Sequence, residues 1–220
     1  MNKLLNKARI VFEDDSLIVV DKPAGLLTMG TETERANTLY ATLRAHLNSR
    51  RPAEKVFIVH RLDREASGLL VFAKTVEAKE RLQNQFKDHS AGRIYAAVAE
   101  GRVVPEQFTI KSQLAENAAF RVYSTENARI GKPAVTHIRV LKRSAKTSLL
   151  EVRLETGRKH QIRVHLAERG HPIAGDKVYG SRKNMLGRLG LHGTHLEFDH
   201  PRSKLRMKFD SPYPENWRRG

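Results

Sequence analysis

The chain of 220 residues contains no cysteine. Without a thiol it cannot form a disulfide, use a thiolate as a nucleophile or build a cysteine-based zinc site. It also lacks an apolar run long enough to span a bilayer, and its first residues have no apolar core of the kind found in a secretory leader. These absences predict a protein of the reduced cytoplasm that does not span a membrane.

Acidic side chains are scarce relative to basic ones. Asp and Glu number 24 against 40 Lys and Arg, which gives a formal net charge of +16. Such an excess repels itself and favours a polyanionic partner. Nucleic acid is the leading candidate and an acidic membrane surface the second, while a basic protein without such a partner is the remaining alternative. No helix-turn-helix or zinc-finger pattern is present, so we do not expect a DNA-binding module.

A metal site is not expected either. His160, His165 and His171 lie close together in the sequence, but spacings of five and six residues do not place them on one face of a helix.

Hydrophobic periodicity predicts many short strands and few helices. Leucines every four residues predict a helix around Leu39–Leu47, Thr75 is a candidate N-cap for a second helix, and a third is expected over about 158–169, ended by Gly170. Alternating or continuous apolar runs predict strands at 10–12, 17–20, 56–59, 69–73, 93–99, 134–141, 149–154, 195–198 and 205–209. The region 105–132 has the weakest pattern, and we expect an irregular excursion or a lobe boundary there. This mixture predicts an α+β fold with a mixed, largely antiparallel sheet.

Asp63 is the first candidate for chemistry. It ends the sequence His60-Arg61-Leu62-Asp63, which lies between two apolar runs, Val56–Val59 and Leu69–Ala73. Loops held on a rigid scaffold often carry catalytic groups. An Asp beside an Arg in a turn is also commonly structural, because the pair can satisfy itself or cap a backbone N–H. Local spacing alone leaves both readings open.

A second constellation follows Thr156. Arg163 lies between Ile162 and Val164, so its stem is expected to be partly buried, and a buried guanidinium needs a carboxylate. Asp63 is the partner that we predict, since an adjacent Arg would keep it anionic. The alternative is that Arg163 reaches solvent past an apolar stem.

The turn at 171–180 contains two glycines and a proline, which either let the backbone approach a ligand or simply form a surface turn. Beyond it, Arg182, Lys183 and Arg188 form a basic loop suited to phosphates, although such loops are often only solvated.

Several segments together resemble the RluA-type pseudouridine synthases. They are HRLDREASGLLVFAKT, ETGRKHQIRVHLAERGHPIAGDKVYG and LHGTHLEFDHP, with VFEDDSLIVVDKPAGLL and RIYAAVAEG as further matches. The resemblance extends from about Ala8 to Phe209. It departs from the common family pattern at Ala66, where many members have Thr, and at Arg93, where Lys is frequent.

The resemblance implies a pseudouridine synthase fold, in which two α+β lobes flank a catalytic cleft. It implies that Asp63 is the catalytic aspartate, that Tyr95 stands beside the target base and that Arg163 pairs with Asp63. Arg61 would help to hold RNA opened around the flipped nucleotide. The complete set of expected RNA-contacting residues is His60, Arg61, Arg158, His160, Gln161, Arg182, Lys183 and Arg188.

The implied reaction isomerises uridine in structured RNA, with ribosomal RNA slightly favoured and transfer RNA as the other option. No redox change occurs and no group is lost, so no cofactor or metal is expected. The carboxylate could act covalently or support an oxocarbenium-like or glycal intermediate. We expect residues 1–220 to form a single catalytic domain, monomeric and without the S4 RNA-binding domain that many relatives carry. The rival hypothesis is a non-catalytic RNA-binding or ribosome-assembly factor on the same fold.

Overall fold

A computed structural model describes residues 8–31, 33–50, 54–182 and 184–218, and for Arg218 it describes only the backbone. The described chain divides into two compact units. The first contains the residues up to Gly92 together with Gly193–Ser211, and the second contains Arg93–His192 together with the residues from Pro212 onward.

The first unit is built on antiparallel strands. These are β1 (Arg9–Glu13), β2 (Leu17–Lys22), β3 (Phe57–Ile58), β4 (Ser67–Ala73), β10 (Leu191–Asp199, which enters from the second unit) and β11 (Arg206–Asp210). Strand β2 pairs with β1 and β4, β3 pairs with β4, and β11 pairs with β10. The first unit also contains helices α1 (Leu39–Asn48) and α2 (Val76–Lys87). Leu82 of α2 packs with Val71 of β4 and Phe198 of β10 in a shared core.

The second unit has its own strands and core. Its strands are β5 (Gly92–Glu100), β6 (Gln107–Glu116), β7 (Val122–Thr125), β8 (Lys132–Arg143) and β9 (Thr147–Leu154). They pair antiparallel in the spatial order β5-β9-β8-β6-β7. Helix α3 (Gln161–Glu168) is followed by a 3₁₀ turn at Lys177–Tyr179. Val164 of α3 and Tyr179 pack against Leu114 of β6 in one core cluster.

These elements confirm the predicted α+β class with its largely antiparallel strands. Helix α1 carries the buried leucines at Leu39, Leu43 and Leu47, and Thr75 is the N-cap of α2, accepting a hydrogen bond from Ala78 N at 3.1 Å. Gly170 adopts the left-handed conformation expected of a helix-ending glycine, with φ of 79°. None of the helices in the described ranges is long and apolar enough to cross a bilayer.

Three expectations were wrong in detail. The segment 56–59 forms only the two-residue strand β3 rather than a full buried strand. Helix α3 begins at Gln161 instead of 158, because His160 takes a left-handed conformation with φ of 54°, which a right-handed helix cannot continue through. The weakly patterned region 105–132 contains two regular strands, β6 and β7, and the change from one unit to the next occurs at Gly92–Arg93 instead.

Candidate active site

Asp63 lies in the loop between β3 and β4 and is half-buried. The backbone just before it is held by Thr28. The Thr28 hydroxyl donates to Leu62 O at 2.9 Å and accepts from Leu62 N at 3.3 Å. Both backbone groups of the residue preceding Asp63 are therefore bound to one buried side chain.

The backbone just after Asp63 is held by Lys22, the last residue of β2. Its side chain is fully buried, at 0% exposure. The ammonium donates to Arg64 O at 3.1 Å and Ala66 O at 2.6 Å on the Asp63 loop. It also donates to Pro23 O at 3.0 Å and Leu26 O at 2.8 Å on the turn that follows β2. Charge-assisted hydrogen bonds of this kind are stronger than neutral ones, so Lys22 fastens the two loops to each other.

Lys22 was missed by sequence reasoning, which interpreted the segment 21–25 only as a turn that ends a strand. The available signal was a lysine two residues after the buried run Leu17–Val20, at a place where an exposed ammonium would normally be expected. Gly25 completes the connection, because its N–H donates to Arg64 O at 2.8 Å while its φ is 84°. The loop that carries Asp63 is thus fixed on both sides of the aspartate.

Close backbone packing fixes the start of β4. Gly68 has φ of 114°, and a Cβ atom added there would lie 2.3 Å from the backbone N and O of Gly193. Only glycine permits both that conformation and that approach. The two glycines belong to the segments HRLDREASGLL and LHGTHL, so their contact ties together two of the motifs recognised in the sequence.

His60 is also used within the first unit. Its ring packs against Phe86 with a centroid separation of 4.6 Å, and its Nε2 accepts a hydrogen bond from Val71 N at 3.3 Å. An accepting Nε2 carries no proton, so this contact requires the neutral ring. Arg61, by contrast, is exposed to solvent, and its expected contact with RNA stays a prediction.

Arg163, in the second unit, is buried as the sequence predicted. Its carboxylate partner within that unit is Asp176, which the sequence analysis did not name. Nε donates to Oδ2 at 2.7 Å and Nη2 to Oδ1 at 2.9 Å, a bidentate arrangement. The guanidinium also lies over the Tyr179 ring at 5.2 Å. Asp63 belongs to the other unit, and its predicted pairing with Arg163 stays a prediction.

Tyr95 lies on β5 opposite Val152 and is 6% exposed. Two residues earlier on the same strand, Arg93 packs against Gly157. A Cβ atom added to Gly157 would lie 2.5 Å from Arg93 Nη1. The glycine of the ETGRKHQ segment therefore makes room for a guanidinium beside the strand that carries Tyr95.

Gln161 has a structural role rather than the expected contact with RNA. It is 2% exposed, and its carbonyl oxygen accepts from Thr156 Oγ1 and Arg158 N. Its amide donates to Val135 O and Thr136 Oγ1. Every hydrogen-bonding group of the side chain is thus used to hold the turn before α3 in place.

The other predicted contacts differ in accessibility. His160 Nδ1 lies 2.9 Å from the Tyr179 hydroxyl, and Arg158 is exposed while its Nε donates to Pro133 O at 3.0 Å. Arg182 is exposed, and Lys183 lies outside the described residues. Arg188 packs over Trp217 at 5.6 Å and donates to Leu189 O, and burial lowers the pKa of its guanidinium. Arg188 is half-buried, and its expected contact with RNA stays a prediction.

Buried polar contacts join His165 of α3 to strands β6 and β8. His165 Nε2 lies 2.9 Å from Ser112 Oγ, and its Nδ1 lies 2.8 Å from Thr136 Oγ1. Burial lowers the pKa of His165 to about 4, so the ring is neutral at physiological pH. The third histidine considered for metal binding, His171, instead has its Nδ1 at 2.9 Å from Glu100 O.

The chain matches known proteins over most of its length. Residues 16–168 match the family model described as RNA pseudouridylate synthase. The chain is 42% identical over 219 residues to a ribosomal large subunit pseudouridine synthase D of Neisseria meningitidis, covering 94% of this chain and 58% of the relative. The protein of the same name from Pseudomonas aeruginosa is 38% identical, with 94% and 69% covered.

A solved structure agrees with this relationship. Human RNA pseudouridylate synthase domain containing 1 superposes with a TM-score of 0.75 at 25% identity, covering 97% of this chain and 86% of the human one. The chain spans a little under three fifths of the Neisseria relative's length. On the family match and these identities, the chain belongs to the RNA pseudouridylate synthase family.

Proposed function

We propose that this protein is an RNA pseudouridine synthase and that Asp63 is its catalytic residue. The observation that carries the proposal is the Asp63 loop itself. Thr28 and the buried ammonium of Lys22 hold its backbone on both sides of the aspartate. A surface aspartate with no task would not need this support, whereas a catalytic carboxylate has to be held close to its productive geometry.

The reaction would break the bond between N1 of uracil and C1′ of ribose. The base then turns, C5 bonds to C1′, the C5 proton leaves and N1 gains a proton. The composition of the nucleoside is unchanged. The carboxylate of Asp63 supplies negative charge where the ribose becomes electron-deficient.

Before this step the target base must leave the RNA stack, at a cost of a few kcal/mol. We propose that Tyr95 receives the extruded base and that Arg163 acts with Asp63, both on the strength of the family resemblance. A net charge of +16 supports attraction to the phosphates of the RNA.

The substrate class that we propose is large-subunit ribosomal RNA. The names of the Neisseria and Pseudomonas relatives support this choice over transfer RNA. We further propose a monomer acting in the cytoplasm, where such RNA is found.

Replacing the acid tests the function directly. Asp63→Asn keeps the size and polarity of the side chain but removes its charge. We expect the variant to retain RNA binding and to lose release of tritium from RNA labelled at C5 of uridine, because bond formation at C5 displaces that label. The assay uses ribosomal RNA transcribed without modifications.

The matched control is Glu65→Gln, which removes one negative charge from an exposed residue of the same loop. It should release label at the wild-type rate. Wild-type turnover by Asp63→Asn would refute the role of Asp63. RNA binding by the wild type without any release of label would favour the non-catalytic RNA-binding factor.

A further inference from the structure

The second unit displays a large aromatic side chain to solvent at the turn between β6 and β7. Phe120 is 74% exposed, the highest value among the large hydrophobic residues of the described chain. Exposing a phenyl ring costs free energy in water, and an exposed aromatic beside cations is a frequent feature of surfaces that bind unpaired bases.

The turn that presents this ring, residues 117–121, is stiff. The Asn117 side chain accepts from Ala119 N at 3.0 Å and from Arg121 N at 2.9 Å. Backbone bonds join Phe120 N to Asn117 O at 2.9 Å and Asn117 N to Arg121 O at 3.0 Å. The ring is therefore held out from an ordered backbone, so little entropy is lost when a ligand binds it.

The conformation of Phe120 is itself unusual. Its φ is 59°, in the left-handed region that bulky residues rarely occupy. Asn or Gly would fit the same position with less strain. An aromatic ring maintained in this conformation at an exposed site points to a use for the ring.

One cation contacts the Phe120 ring, and a second follows Phe120 directly in the sequence. Lys159 Nζ is 5.6 Å from the centroid of the Phe120 ring and donates to Phe120 O at 3.2 Å, while also pairing with Glu116. Arg121 follows directly and is exposed, its guanidinium over Tyr179 at 5.6 Å. An exposed aromatic ring with an ammonium beside it and an exposed arginine next in the chain fits a base attached to a phosphate backbone.

We propose that Phe120 is a stacking platform for an unpaired base of the RNA substrate, flanked by Lys159 and Arg121 as phosphate contacts. The inference rests on the proposed function for its ligand, RNA, but not on catalysis. A stacked base must be unpaired, so the platform would favour RNA loops over continuous duplex.

The test measures binding of two labelled RNAs by fluorescence anisotropy, with every protein in the Asp63→Asn background so that the RNA stays unmodified. One RNA is a stem-loop with an unpaired, uridine-containing loop, and the other is a fully paired duplex of equal length. Phe120→Asn removes the ring and retains a residue that accepts the left-handed backbone. Phe120→Tyr keeps the ring. Leu205→Asn is the control, because Leu205 is 70% exposed in the first unit.

We expect Phe120→Asn to bind the stem-loop about 5-fold to 150-fold more weakly, the range given by loss of one stacked base. Its affinity for the duplex should be unchanged, and Phe120→Tyr and Leu205→Asn should bind both RNAs as the parent does. Unchanged stem-loop affinity, an equal loss on both RNAs, or a parent protein that does not prefer the stem-loop would each overturn the proposal. Stem-loop binding with these properties but no pseudouridine formation in the wild type would refute the proposed function alone.

A second readout keeps the test independent of affinity. The single tryptophan of the chain, Trp217, is 3% exposed, so a Phe120→Trp variant adds one solvent-exposed reporter. Stacking on a base should quench its fluorescence when the stem-loop is added and not when the duplex is added. An unquenched reporter in the presence of bound stem-loop would contradict the stacking geometry.

Discussion

Replacing Lys22 by methionine should damage catalysis more than binding. The substitution keeps the length and most of the volume of the side chain but removes the ammonium, whose three N–H groups are shared among four backbone carbonyl oxygens at 2.6–3.1 Å. The bonds to Leu26 O and Ala66 O are buried, so neither carbonyl can replace its donor with bulk water.

The magnitude follows from those two carbonyls. Leaving a buried acceptor without its donor costs about 1–3 kcal/mol, so two of them give roughly 2–6 kcal/mol. The lower half of that range applies, about 2–4 kcal/mol, because removing the ammonium also removes the cost of burying it. The Asp63 loop keeps the bonds from Thr28 and from Gly25 but loses those that Lys22 donates to Arg64 O and Ala66 O. A displacement of about 1 Å at a catalytic group costs on the order of 100-fold in rate.

The assay compares tritium release, RNA affinity and urea unfolding for Lys22→Met and for Lys74→Met. Lys74 is also a buried lysine of the first unit, but it pairs with Glu13 at 3.3 Å and Glu54 at 3.1 Å, away from the Asp63 loop. Both variants should unfold at lower urea concentration, and only Lys22→Met should lose kcat, by about 100-fold. If Lys22→Met turned over like Lys74→Met at a temperature where both are folded, the argument that Lys22 positions the loop would be refuted.

Two further predictions concern stability. Gly68→Ala should lower the free energy of unfolding of the first unit by more than about 3 kcal/mol, because the new Cβ would collide with Gly193 in addition to straining the left-handed backbone. Gly170 also has a positive φ, 79°, but a Cβ added there would meet no atom within 4 Å, so Gly170→Ala should lose only the strain energy, about 1–2 kcal/mol in urea unfolding. Equal losses for the two variants would contradict the collision. Burial lowers the pKa of His165 from 6.5 to about 4, so between those values the folded protein binds fewer protons than the unfolded one and its stability falls as the pH falls. The variant His165→Asn does not have this pH dependence. The difference in unfolding free energy between wild type and His165→Asn should therefore be about 2 kcal/mol smaller at about pH 5 than at about pH 7.5, and a difference that does not change with pH would refute this linkage.

Regular patterns were sufficient to predict much of the fold. Leucines every four residues indicated α1, and Thr75 was identified as the N-cap of α2, because both features act within one turn of helix. Strands with continuous buried runs, such as β4, were equally clear. The β6–β7 hairpin was missed because its burial alternates irregularly and its connecting turn depends on the Asn117 side chain rather than on glycine.

Within the candidate site, residue types were predicted more reliably than their partners. Asp63, Tyr95 and Arg163 were found through the motifs that carry them. Asp176 was not, because nothing in the spacing singles out one of 24 acidic residues as the partner of a buried guanidinium. Lys22 was missed for a similar reason. Its acceptors are backbone carbonyls of two loops that lie some 40 residues apart in the chain, and a pattern of side chains in the sequence cannot reveal contacts to backbone groups.

The most direct test of the central claim is a map of pseudouridines in large-subunit ribosomal RNA from cells that lack this gene. We expect at least one modified position to revert to uridine, and to be restored by the wild-type protein and by Glu65→Gln but not by Asp63→Asn. A map identical to that of the parent strain, or restoration by Asp63→Asn, would contradict the assignment of this chain as a ribosomal RNA pseudouridine synthase that acts through Asp63.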